Sequence, residues 1–130
     1  MNFTKVKGGY SQCILDVHEK LFNPHMVIHG GVIYSMADTG MGAALFSHLD
    51  KNELCATVEI KIHYFKSVKA GTLTCNTKVI HIRKKIATLE SEILNNDQLV
   101  AKALGTYSIF QIKDNSSLLK KIRGHNSFTN

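Results

Sequence analysis

Residues 29–45 read HGGVIYSMADTGMGAAL, and this segment decides the fold. Small and apolar residues recur at helical spacing, with positions 33, 37, 40 and 44 on one side and positions 32, 36 and 43 beside them. A helix that is apolar nearly all round is buried rather than lying on the surface. The segment therefore predicts one long buried helix covered by the rest of the chain.

Two features of this helix need a physical reason. Gly40 and Gly42 lie in its interior, where each glycine costs about 1 kcal/mol relative to alanine, so another backbone is expected to pack close by. Asp38 is the one carboxylate in the segment. Burying an unpaired carboxylate is expensive, so Asp38 is either hydrogen-bonded for structure or held for chemistry.

Around the helix, alternation of apolar and polar residues predicts strands at 11–18, 54–64, 72–82, 86–94 and 99–112. In the 54–64 segment the alternation puts Val58 and Ile60 on the apolar side and Thr57 on the polar side. Residues 1–10 are interpreted as a lead-in that ends at the Gly8-Gly9 turn, and turns are predicted at 83–85 and 95–97. The order predicts an α+β fold, an antiparallel sheet of five to six strands wrapped around the helix.

The bulk composition bounds the function. A chain of 130 residues with 44% hydrophobic and 20% charged residues is one ordinary globular domain, with a core at about 11–112 and a basic polar tail at 113–130. Three cysteines without CxxC spacing, and histidines without ligand spacing, predict reduced thiols and no metal site. The net charge of +6 suits an anionic ligand, but no motif indicates nucleic-acid binding. Neither a membrane-spanning run nor a signal peptide is visible, so we expect a cytoplasmic protein without membrane contact.

The start of the helix is the first candidate site. Gly30 and Gly31 leave backbone N–H groups uncovered at the positive end of the helix dipole, where a carbonyl oxygen gaining charge would be stabilised; alternatively, they only provide a tight entry into the helix. Asp38 follows Gly30 by eight residues, about 12 Å along the axis. If both act in one reaction, they come from two copies of the helix, which predicts a homodimer with two composite sites.

These residues resemble a known family. Asn23, then His29-Gly30-Gly31 six residues on, then Ala37-Asp38, is similar to the pattern of hotdog-fold acyl-CoA thioesterases, in particular the PaaI-like (phenylacetic-acid-degradation type) branch. The resemblance covers roughly residues 11–112 in motif and in element order. It implies hydrolysis of an acyl-CoA thioester by a dimer or a dimer of dimers, without a cofactor other than the CoA of the substrate.

The resemblance also implies roles for individual residues. The thioester carbonyl would bind the N–H of Gly30, and Asp38 of the neighbouring subunit would act as nucleophile or as general base. Asn23 and His29 would position the thioester, and Thr57 matches a Ser or Thr that helps to hold the attacking water. The CoA portion would lie on the surface between subunits, where Arg83, Lys84 and Lys85 are candidates to meet its phosphates. Gly31 is a further candidate substrate-binding residue.

Two other functions remain as alternatives. Hotdog hydratases and dehydratases carry Gly-Asp shortly before Asn-Pro, but Leu21-Phe22 precedes Asn23-Pro24 here, so their aspartate is missing. A non-catalytic acyl-CoA-binding module would need no carboxylate in the middle of the helix, and Asp38 therefore favours the enzyme. No GxSxG elbow is present, and a thioester can be cleaved by a carboxylate and one oxyanion donor. The acyl group is equally compatible with an aryl or a medium aliphatic chain.

Overall fold

The computed structural model describes residues 1–112, and the predicted basic tail at 113–130 lies outside the described residues. Within residues 1–112 the chain forms these elements: β1 (Asn2–Lys7), β2 (Tyr10–Asp16), a short 3-10 turn (Glu19–Leu21), α1 (Gly30–Phe46), β3 (Glu53–Tyr64), β4 (Thr72–Arg83), β5 (Ile86–Asn95) and β6 (Gln98–Gln111). The strands form one sheet in the order β1-β2-β4-β5-β6-β3, and every neighbouring pair is antiparallel. One face of this sheet packs on α1, which confirms the predicted α+β architecture.

The first strand corrects the interpretation of residues 1–10 as a lead-in. β1 pairs with β2 across the Gly8-Gly9 turn and extends the sheet by one edge strand. Most of its residues are exposed and Phe3 packs against the core, so the segment lacks the alternation that identifies a strand in sequence. β1 is held by backbone hydrogen bonds to β2, and the pattern of side chains in a sequence does not show such bonds.

The helix is buried on the side predicted for it, and Gly40 explains how closely it lies on the sheet. A Cβ at Gly40 would come within 2.8 Å of Thr77 Oγ1 on β4, and Ser11 Oγ on β2 donates to the Gly40 carbonyl at 2.7 Å. The groups that pack close to Gly40 are thus side chains of the protein's own sheet, and not the backbone that was expected there. A Cβ at Gly42 would meet no atom within 4 Å, so close packing does not explain the glycine at this position.

A β-bulge in β3 corrects the predicted facing of that strand. β3 pairs with β6 in regular register up to Thr57, which lies opposite Tyr107, and the pairing resumes at Glu59 opposite Thr106. The extra residue, Val58, shifts the alternation by one position, because side chains in a strand alternate with a period of two. Thr57 therefore lies on the helix side of the sheet, while Val58 is 61% exposed.

Two tight hairpins connect the last three strands. The turn between β4 and β5 has Lys84 at φ +53°, and the turn between β5 and β6 has Asn96 and Asp97 at φ +47° and +70°. Positive φ at both central residues, as at Asn96 and Asp97, matches the twist of the flanking strands, whereas the β4–β5 loop has a positive φ only at its first central residue, Lys84. Within residues 1–112, no helix is long and apolar enough to cross a membrane.

Candidate active site

Asp38 lies in the middle of α1, facing β3 and β6, and its carboxylate is hydrogen-bonded. Tyr107 Oη donates to Asp38 Oδ1 at 2.7 Å, and Thr57 Oγ1 donates to the same oxygen at 3.1 Å. The Tyr107 hydroxyl also lies 3.1 Å from the main-chain carbonyl of Asp38. These hydrogen bonds compensate the cost of burying the Asp38 carboxylate, which was one of the two explanations expected for it.

The carboxylate opens into a pocket of about 210 Å³, here called the carboxylate pocket. Asp38, Gly42 and Phe46 line it from one face of α1, because residues four apart lie above one another on a helix. Since Gly42 has no side chain, the space beside Asp38 stays open. The strand residues that complete the lining are Leu54, Cys55, Ala56, Thr57 and Tyr107.

Two further ionisable groups line this pocket, and both are neutral at physiological pH. Burial raises the pKa of the Cys55 thiol to about 11. Burial also raises the pKa of the Tyr107 phenol well above its usual range, and the adjacent Asp38 carboxylate adds to this shift. Tyr107 is only 2% exposed. The phenol is therefore a fixed hydrogen-bond donor rather than an acid that ionises.

The start of α1 separates the two glycine N–H groups. His29 is the N-cap residue, and its Nδ1 accepts the N–H of Gly31 at 3.0 Å. Gly30 occupies the first helical position, where an N–H has no partner inside the helix, and no backbone acceptor within residues 1–112 takes it. Of the two candidate oxyanion donors, Gly30 is thus the one that remains available.

A second pocket, here called the helix-entry pocket, lies beside Gly30 and has a volume of about 260 Å³. Tyr64, on β3, donates its hydroxyl to the Gly30 carbonyl at 2.9 Å. Burial and the nearby Tyr34 raise the pKa of Tyr64. Phe65 also lines the pocket and is 54% exposed. Tyr64 thus holds the backbone of the first helical residue from the side opposite to its N–H.

Asn23 organises the loop that leads into the helix. Its Oδ1 accepts the N–H of His25 at 2.9 Å and that of Val27 at 3.4 Å. These bonds stabilise a turn in which Met26 adopts φ +64°. The side-chain oxygen of Asn23 is therefore occupied within its own loop, and the observed contacts of Asn23 are structural.

The basic residues Arg83, Lys84 and Lys85 form the exposed turn between β4 and β5, beside an open depression of about 490 Å³. Thr57, Tyr107, Ala87 and Ile82 lie in one row across the sheet, each paired with the next. Neighbouring strands are about 4.8 Å apart, so the turn begins roughly 10–15 Å from Thr57. The basic turn and the carboxylate pocket thus belong to the same end of the sheet.

The structure brings Asp38 and Thr57 into direct contact, and it groups His29, Gly30 and Gly31 at the start of the helix. It keeps these two groups apart within one chain, about 12 Å along α1.

Sequence reasoning missed Tyr107, because an aromatic residue among alternating apolar positions has the pattern of a core residue. Within residues 1–112, no three His, Cys, Asp or Glu side chains are grouped as metal ligands.

Comparison with known proteins identifies the family. A sequence profile of the Thioesterase superfamily matches residues 25–102. "Putative esterase SSO1253" of Saccharolobus solfataricus is 34% identical over 112 residues, covering 85% of this chain and 74% of the relative. The 1,4-dihydroxy-2-naphthoyl-CoA hydrolase of Listeria monocytogenes is 26% identical over 98 residues, covering 75% of this chain and 80% of the relative.

The same assignment follows from solved structures. The conserved protein PA5202 of Pseudomonas aeruginosa superposes with a TM-score of 0.80 at 30% identity, covering 84% of this chain and 87% of the other. The likeness confirms the predicted hotdog fold, an antiparallel sheet around one central helix. A family profile that spans more than half of the chain, together with these relatives, leads to one conclusion: the chain belongs to the Thioesterase superfamily.

Proposed function

We propose that the protein hydrolyses an acyl-CoA thioester to the free acid and CoA. The observation that carries the proposal is the Asp38 carboxylate, which is held by two hydroxyls and opens into a pocket on the central helix of a thioesterase fold. The relative in Listeria monocytogenes is named as a hydrolase of a CoA thioester, which supports the CoA part of the proposal. We place the protein in the PaaI-like branch and in the cytoplasm.

In this proposal each active site combines two subunits. Gly30 and Asp38 of one chain are too far apart along α1 to meet one carbonyl group, whereas a two-fold axis can bring Asp38 of one chain beside Gly30 of the other. β3 is an edge strand, and its side of the molecule exposes Val58, Tyr64 and Phe65 by 61%, 48% and 54%. Exposed apolar side chains along an unpaired strand edge are suited to pairing with a second copy. The assembly is then a dimer or a dimer of dimers.

The chemistry needs a carboxylate and one oxyanion donor. The thioester oxygen accepts the Gly30 N–H and gains negative charge when the carbonyl carbon is attacked. As general base, Asp38 takes a proton from water, the resulting hydroxide adds to the carbon, the C–S bond breaks, and the proton returns to the thiolate. As nucleophile, Asp38 forms an acyl anhydride and releases the thiolate, and water then cleaves the anhydride. Both routes end in a carboxylic acid and CoA thiol.

The remaining residues act on binding and position. We propose that Arg83, Lys84 and Lys85 meet the phosphates of CoA, since these three cations line an open depression at a turn that begins roughly 10–15 Å from Thr57. His29 holds the Gly31 N–H and thereby fixes the start of the helix, which leaves the Gly30 N–H free for the substrate. Asn23 keeps the preceding loop in the shape that delivers His29 to its position.

The decisive experiment follows thiol release from a panel of aryl- and alkyl-CoA thioesters with a thiol-reactive dye. Wild type is expected to hydrolyse members of the panel, and Asp38→Asn is expected to lose activity by about 100-fold or more. Asp16→Asn is the matched control, because Asp16 also accepts a threonine hydroxyl at 3.1 Å but is an exposed residue at the end of β2. If wild type binds the esters without hydrolysing any of them, the protein is a binding module instead. Addition of water to an unsaturated acyl chain would identify a hydratase.

A further inference from the structure

Asp38 Oδ1 is occupied by two donors from the sheet. Tyr107 Oη lies 2.7 Å and Thr57 Oγ1 3.1 Å from this one oxygen. Both donors come from a directly opposed pair of residues in the β3–β6 ladder, so the distance between them is set by backbone pairing. The bonds fix the rotation of the carboxylate about its terminal torsion, which is otherwise broad.

The second carboxylate oxygen has a different environment. Within residues 1–112, no side chain or main-chain group donates a hydrogen bond to Asp38 Oδ2. An ionised carboxylate has about four lone-pair sites, and two hydroxyl donors on Oδ1 leave those of Oδ2 free. Asp38 lines the carboxylate pocket, which is the space where water or a thioester would meet the free oxygen.

We infer that Tyr107 is the positioning residue of the reaction: with Thr57 it holds Asp38 by Oδ1, so that Oδ2 is the oxygen that attacks or takes the proton. The inference rests on the proposed hydrolysis and assigns its reacting atom. It holds for the nucleophilic and the general-base routes alike, since either one uses a single carboxylate oxygen. Tyr107 contributes more than Thr57, because its bond is shorter and its ring is buried.

The test compares Tyr107→Phe with wild type on a CoA thioester that wild type hydrolyses. Loss of the hydroxyl is expected to lower kcat by about 10- to 100-fold, as for a hydrogen bond to a charged group, and to leave KM within about twofold. Tyr10→Phe is the control, because it removes a phenol that bonds the neutral Asn76 amide away from the site. A Tyr107→Phe enzyme with kcat within about twofold of wild type overturns the inference.

The pH profile separates positioning from general structural damage. The other titratable groups that line the carboxylate pocket from the described strands are Cys55 and Tyr107, and neither ionises below about pH 9. A hydrogen bond to the charged form of a carboxylate favours that form, so its loss is expected to move the acidic limb of kcat/KM to higher pH. An unmoved limb argues for a merely structural tyrosine and overturns the inference.

Thr57→Val provides the second variant if Tyr107→Phe does not fold. It leaves Tyr107 as the remaining donor to Oδ1, so kcat is expected to fall by a few-fold, less than in Tyr107→Phe, with the same direction of pH shift. An unchanged kcat and pH profile in Thr57→Val overturns the inference. Different results contradict the two proposals. A wild type without activity contradicts the proposed hydrolysis, whereas an active wild type with unaffected variants contradicts only the role of Tyr107.

Discussion

Thr57 and Tyr107 face each other across the β3–β6 ladder, and their hydroxyls meet on one oxygen of Asp38. Side chains of directly opposed residues lie about 4.5–5.5 Å apart at Cβ, which is close enough for two hydroxyls to share an acceptor. The sheet thus supplies both donors, and the helix supplies only the carboxylate. The candidate site consequently depends on how the helix and the strand edge are placed relative to one another.

The composite site predicts that two inactive variants restore activity when mixed. Asp38→Asn removes the carboxylate and Gly30→Pro removes the N–H. Proline suits the first helical position, and His29 already has φ −66° and ψ +134°, which a residue before proline adopts readily. In a 1:1 mixture, random exchange of subunits makes half of the dimers mixed, and each mixed dimer has one intact site of two. The mixture should therefore regain about a quarter of the activity of wild type at the same total protein concentration.

Mixing should be measured after the subunits have been unfolded and refolded together, with each variant refolded alone as the control. Activity that remains equal to the sum of the two separate variants would contradict a site shared between subunits.

The two interior glycines of α1 predict opposite effects on stability. Gly40→Ala places a methyl group within 2.8 Å of Thr77 Oγ1, and overpacking of this kind costs about 1–3 kcal/mol. Gly42→Ala meets no atom within 4 Å and should gain up to about 1 kcal/mol from the helix propensity of alanine. Urea unfolding at one fixed protein concentration measures both. Equal midpoints for the two variants would show that the helix does not approach the sheet at Gly40.

The basic turn predicts a loss of affinity that depends on the phosphates of the substrate. Arg83→Gln/Lys85→Gln should raise KM for CoA thioesters by at least about fivefold, because charge-assisted contacts to phosphate are lost. KM for the matching N-acetylcysteamine thioester, which has no phosphate, should not change. Lys5→Gln on β1 is the control, because it removes a cation on an edge strand that lies two strands away from β4. A rise in KM for both thioesters would point to a change in the pocket instead.

Cys55 predicts a pH dependence of alkylation. Burial raises the pKa of its thiol to about 11, and the thiolate is the reactive form, so the thiol stays protonated and slow until the pH approaches that value. At pH 8 its reaction with iodoacetamide should be about 100-fold slower than that of a free cysteine with an ordinary pKa near 9. Mass spectrometry of the peptide that contains Cys55 across pH 7–11 gives the rate, with N-acetylcysteine as the reference. A half-maximal rate near pH 9 would exclude the buried environment.

Sequence patterns predicted the parts of the fold that depend on hydrophobic periodicity. The helix at 29–45 and the strands from residue 54 onward carry their period in their side chains, and the structure confirms them. β1 was missed because its residues are mostly exposed and its pairing is a backbone property. Tyr107 was missed as a site residue because its ring satisfies the core pattern, and only the position of its hydroxyl relative to Asp38 distinguishes it.

The candidate site was predicted in its residue types more than in its geometry. Asp38 and Gly30 follow from the cost of a carboxylate in an apolar helix and from the free N–H groups at a helix start. Thr57 was placed on the wrong side of its strand, since a period of two was carried across a position where the chain holds one extra residue. The occupied N–H of Gly31 depends on the rotamer of His29, which no pattern encodes.

The bulge at Val58 also sets a constraint on engineering the chain. Shortening β3 by one residue between Thr57 and Glu59 would restore regular pairing, and the segment before the deletion or the segment after it would then turn over to the other face of the sheet. If the segment before it turned over, the Thr57 hydroxyl would lie in solvent, although every residue named in the site would still be present. The geometry of the candidate site thus depends on the number of residues in β3 as much as on the Asp38 carboxylate.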